Sequence, residues 1–76
     1  MITVCLCTML QNEYPKLPVE SQTPFKSGVN VQEIVEYLGI SDKDIGVIVV
    51  NGLSVLPSYS LKDGDKIELH PFVMGG

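Results

Sequence analysis

The sequence predicts an α+β fold, a mixed four- to five-stranded sheet with one main helix packed across one face. Three observations predict it. One stretch, "NVQEIVEYLG", carries a complete set of helix signals. One stretch, "DIGVIVVNGLSVL", is a hairpin with its turn residues in place. Two further extended runs, near the beginning and near the end, have strand length and strand periodicity. A chain of 76 residues is one domain at most, and it must spend most of its apolar residues on one thin core.

The elements follow in order. Residues 2–10 are almost all apolar and rich in β-branched types. Ile2, Val4, Leu6 and Leu10 are expected on one side, and Thr3, Cys5, Cys7 and Met9 on the other. Both sides are fairly apolar, which predicts a central strand. Residues 11–30 carry Pro15, Pro18 and Pro24, which exclude a regular helix there. A loop and a short second strand around Thr23–Lys26 are expected, with Gly28 closing the segment. In the helix, Asn30 caps the first turn and Glu33 sits at the capping-box position. Val31, Ile34, Val35 and Leu38 form the apolar face, and Gly39 supplies the stop. About nine residues make too short a helix to persist alone, so it must pack on the sheet.

Asn51-Gly52 gives the two positive-φ residues of a type I′ turn. Ile45, Val47 and Val49 alternate with Gly46, Ile48 and Val50 before it, and Leu53, Val55 and Leu56 return after it. "LKDGD" is a second turn, with Gly64 at the position needing unusual backbone angles. In "KIELH", Ile67 and Leu69 face one way and Glu68 and His70 the other. Pro71 lacks a backbone donor, so pairing is expected to weaken there and the last residues to leave the sheet. This divides the chain into a domain at 1–72 and a C-terminal Gly-Gly tail at 73–76.

Composition narrows the function. The net charge of −4 repels phosphate backbones, so nucleic acid is a poor partner and a basic protein surface a better one. No apolar run approaches the roughly 20 residues of a membrane-spanning helix, and the first ten residues lack a signal peptide's features. Both point to the cytoplasm. So short a chain leaves little material for a deep pocket, so a self-contained enzyme is not expected. Cys5 and Cys7 share one strand face, are badly placed for a disulfide, and lack the further ligands of a zinc site. They read as small, half-buried apolar residues. Asp63 and Asp65 lack the remaining ligands of a calcium loop and read as a charged turn; no metal site is expected. His70 has no Ser or Cys partner at a triad spacing.

The end of the sequence, "PFVMGG", concentrates the functional signal. Val73 to Gly76 can extend about 14 Å beyond the body. Gly75 and Gly76 have no side chains, so their backbone passes through a channel too narrow for other residues. A carboxylate on Gly76 is unhindered and can attack the α-phosphate of a nucleotide held by a partner.

"VIVVNG", "LKDGDKIEL" and "PFVMGG" together resemble the β-grasp sulfur carriers of the ThiS and MoaD type. The resemblance implies a ubiquitin-like β-grasp, with the first and last long strands adjacent and parallel at the sheet centre. It also implies that a ubiquitin-activating-type adenylyltransferase adenylates Gly76 using ATP and Mg, with no cofactor bound by this chain. A sulfur donor enzyme then gives a thiocarboxylate, and a sulfur-accepting synthase takes the sulfur. Molybdopterin or tungstopterin synthesis, thiamine synthesis and another sulfur route all stay open. So do two other functions: a protein modifier conjugated through Gly76, and a passive interaction module. The stem Phe72, Val73 and Met74, with Gly75, is expected to contact the partners. Ile48 and Val50, with Cys5, Cys7 and Phe72, form either a docking patch on the second sheet face or ordinary core beneath the 11–28 loop.

Overall fold

The computed structural model describes residues 1–71. The elements are β1 (Ile2–Leu6), α1 (Thr8–Glu13), β2 (Glu20–Thr23), α2 (Val31–Leu38), a 3-10 turn (Asp42–Asp44), β3 (Ile45–Val50), β4 (Leu53–Val55) and β5 (Lys66–Pro71). They form one five-stranded sheet in the order β2-β1-β5-β3-β4. The sheet is mixed: β1 and β5 run parallel at its centre, and every other neighbouring pair is antiparallel.

Strand pleat and helix period together build the core. Ile2, Val4 and Leu6 of β1, Ile48 and Val50 of β3, and Ile67 and Leu69 of β5 all point to one face. Val31, Ile34 and Val35 of α2 close over that face. Each fully buried side chain of this kind contributes about 1.5–3 kcal/mol. The helix begins and ends as its residues dictate. Asn30 Oδ1 accepts the Glu33 N–H at 2.9 Å, and Glu33 Oε1 accepts the Asn30 N–H at 3.2 Å. Gly39 closes it in the left-handed region at φ 77°. At the β3–β4 turn Asn51 and Gly52 take φ of 51° and 86°, as a type I′ turn requires.

The structure corrects three sequence expectations. The first strand stops at Leu6 rather than reaching residue 10, and α1 takes over from Thr8 to Glu13. The helix turns Leu10 into the core, where it is fully buried, and ends ahead of Pro15, which has no backbone N–H to continue it. The second strand lies at Glu20–Thr23, before Pro24 instead of across it. At Pro71 regular pairing does weaken, as expected: Pro71 lies opposite Ile45, with a register shift between Ile45 and Val47 that makes room for Gly46. Ile48 and Val50 are core residues, 6% and 1% exposed, and do not lie on the open sheet face. Register fixes this, because both pair with inward-facing Leu69 and Ile67.

Candidate functional site

The site is built where β5 runs out. Its central place fixes its direction: β1 alongside holds it by a parallel ladder from Thr3–Lys66 to Leu6–Leu69, and the Cys7 N–H donates to the Leu69 carbonyl at 3.1 Å. The other end of β5 is anchored at the turn that launches it. The Asp65 carboxylate accepts from Asn51 Nδ2 and the Lys62 N–H, each at 2.8 Å, and Asn51 Oδ1 accepts the Lys66 N–H at 3.0 Å. Asp65 is thus a turn-forming residue, buried and committed to main-chain and amide donors.

On the sheet face away from α2, a shallow cleft of about 460 Å³ is lined by Cys7, Met9, Val47, Val49, His70 and Pro71. Each arrives for a local reason. The outward parity of β3 presents Val47 and Val49, that of β5 presents His70, and the first turn of α1 brings Met9 over from the β1 side. Met9 is 62% and Val47 46% exposed, so apolar surface is open to a partner here. Glu68 pairs with the cleft residue Val49 across β5 and β3, and toward the β2 edge Glu20 Oε1 accepts from Cys5 Sγ at 3.7 Å. Burial, the largest effect, together with Glu20 and Glu68, raises the Cys5 thiol pKa above its ordinary value of 9.0, against the opposing pull of Lys66. Cys5 is therefore held as the thiol, which is a poor nucleophile.

The residues expected to act sort into three groups. Phe72, Val73, Met74, Gly75 and Gly76 lie outside the described residues. Cys7 lines the cleft, and Cys5 lies one strand period before it on the same face. Ile48 and Val50 belong to the core, and their neighbours Val47 and Val49 take their place on the outer face. The strand reading of residues 2–10 put Met9 on the side of Cys5 and Cys7 but not in the docking patch, and it is α1 that brings Met9 to the cleft. No residue-type signal separates Val47 and Val49 from Ile48 and Val50; all four are β-branched apolar residues.

Among the described residues no helix is long and apolar enough to cross a membrane. A family model described as "Mut7-C ubiquitin" matches residues 6–74. The crystal structure of SAMP1 from Haloferax volcanii superposes with a TM-score of 0.77, covering 99% of this chain and 98% of that one at 16% identity. The ubiquitin-like β-grasp expected from sequence is the observed fold.

Proposed function

The chain belongs to the Mut7-C ubiquitin family, and from that premise we propose that it is a sulfur carrier, a protein substrate that acts through Gly76 in the active sites of other enzymes. The observation that carries the reading is the placement of β5. The central, parallel-paired strand delivers the chain at Pro71 beside an open apolar cleft, and the sequence then runs Phe72-Val73-Met74-Gly75-Gly76.

The chemistry divides between the chain and its partners. An adenylyltransferase of the ubiquitin-activating type supplies ATP, Mg and the electrostatics. A Gly76 carboxylate oxygen attacks the α-phosphorus and pyrophosphate leaves. The terminal sulfur of a donor enzyme's persulfide then displaces AMP at the acyl carbon. A second thiol cleaves the resulting S–S bond, and the thiocarboxylate remains. A synthase takes that sulfur into a cofactor such as molybdopterin, tungstopterin or thiamine. This chain's part is recognition and presentation. The cleft at Val47, Val49, Met9 and Cys7 docks the partner, with Glu20 and Glu68 facing its basic groups. Phe72 to Met74 form the stem, and Gly75 threads the narrow channel.

The test counts nucleophiles. The chain has two cysteines, so denatured protein from its native cells takes two alkyl groups from iodoacetamide. A thiocarboxylate on Gly76 takes a third, located by fragmentation to the last residue. Two groups only, under conditions where the sulfur donor is active, overturns the reading. Isopeptide adducts through Gly76 in its place assign the protein to the modifiers.

A further inference from the structure

The sheet has two edges, β2 and β4. An open edge invites a further strand, and proteins guard such edges with charge. The β2 edge carries Glu20. β4 itself carries no such guard: from Ile45 through Leu61 the sequence has no acidic residue, no lysine, arginine or histidine, although the whole chain carries −4. Leu53 and Leu56 are nevertheless 66% and 74% exposed there. Asp42, which lines a cleft with Ser54, Val55 and Leu56, is held by Gln32 Nε2 at 3.0 Å.

Register shows what fits this edge. Val50 and Leu53 flank a two-residue turn, so they exchange both main-chain hydrogen bonds, and so do Ile48 and Val55. Ser54, between them, therefore turns its N–H and C=O away from β3, toward the open edge. A second β4, related by a two-fold axis at Ser54, runs antiparallel and exchanges both bonds with it. The same axis sets Leu53 opposite Val55 of the second copy, and Val55 opposite its Leu53. These pairs fall on the apolar, helix-side face, because β4 shares its pleat with inward-facing Ile48 and Val50. Leu56 falls opposite Gly52 of the second copy, where no side chain stands in its way. At the axis itself two uncharged serines meet. The edge is self-complementary in hydrogen bonding, in side-chain size and in charge.

We propose that β4 is a self-association edge: two copies of this chain join through an antiparallel β4–β4 pairing centred on Ser54 and make one continuous sheet. The proposal is independent of the sulfur-carrier reading, since it uses neither the outer cleft nor Gly76.

Sedimentation of the full chain over a concentration series up to about 1 mM tests it. The expected result is a doubling of mass in the upper range. Ser54→Pro removes the outward donor without touching the β3–β4 bonds, and Leu53→Lys puts like charges across the axis; each is expected to return the single-copy mass with an unchanged circular dichroism spectrum. Leu53→Lys alters an exposed side chain and keeps the test open if the proline variant fails to fold. Val47→Lys, on the outer cleft, is expected to retain the doubling. A single-copy mass at every concentration overturns the proposal, as does a doubling that survives in the folded edge variants. Loss of the doubling in Val47→Lys alone moves the interface to the cleft and overturns it as well.

Discussion

Val47 and Ile48 are neighbours of nearly the same chemistry with opposite fates. Ile48 is 6% exposed under α2, and Val47 is 46% exposed in the outer cleft. Ile48→Ala is expected to lower stability by about 2–5 kcal/mol, read by denaturant unfolding, through lost burial and the cavity left behind. Val47→Asp is expected to leave the unfolding midpoint nearly unchanged and to weaken partner docking, read by pull-down of the adenylyltransferase with the wild-type chain as reference. Unfolding of Val47→Asp would contradict this assignment of faces. The run Val47 to Val50 shows why the sequence could not make it. Four β-branched residues fit either face of a pleat equally well, and only the pairing of Ile48 with Leu69 and Val50 with Ile67 decides. By contrast Ile67 and Leu69 alternate with Glu68 and His70, so the faces of β5 could be read directly.

The two helices show the same contrast among elements. α2 was legible because its signals are local: Asn30 and Glu33 complete a capping box, and Gly39 takes the left-handed conformation that other residues adopt at a cost. α1 was not legible. Its N-cap, Cys7, makes no side-chain cap bond, its first turn has no acidic residue, and Thr8-Met9-Leu10 continues the apolar run of β1. Tertiary contacts hold it instead. Tyr14, at its C-terminal end, donates its hydroxyl to Asp44 Oδ2 at 2.5 Å and accepts the Ser41 N–H at 3.0 Å, tying the end of α1 to the 3-10 turn before β3. The hydrogen bond to Asp44 raises the Tyr14 pKa above its ordinary value of 10.0. A folded-state pKa above the unfolded one means the unfolded chain releases its proton first as pH rises. The stabilisation is therefore complete below the ordinary value and is lost as pH climbs through the raised one. Thermal unfolding followed from pH 8 to 11 is expected to show a fall in midpoint for the wild type that is smaller in Tyr14→Phe. Equal falls in the two proteins would show that the tie does not titrate.

For the whole molecule, topology fixes where the last described strand ends. Pairing β1 with β5 in parallel places the last described strand in the middle of the sheet, where neighbours on both sides fix its direction. The α+β architecture and the central pairing of first and last strands followed from sequence, through turn residues and family resemblance. The outer cleft did not, because it joins Cys7 and Met9 to Val47, Val49 and His70 from distant parts of the chain, through pairings that no local pattern encodes. As proposed above, the scaffold serves Gly76. The most direct measurement is the intact mass of the chain recovered from its own cells, with tandem fragmentation of its last residues. A population heavier by the difference between one sulfur and one oxygen is expected, with the change confined to Gly76 and absent when Gly76 is deleted. A terminal carboxylate in every molecule while the sulfur donor is active, or the same mass gain in the deletion variant, would contradict it.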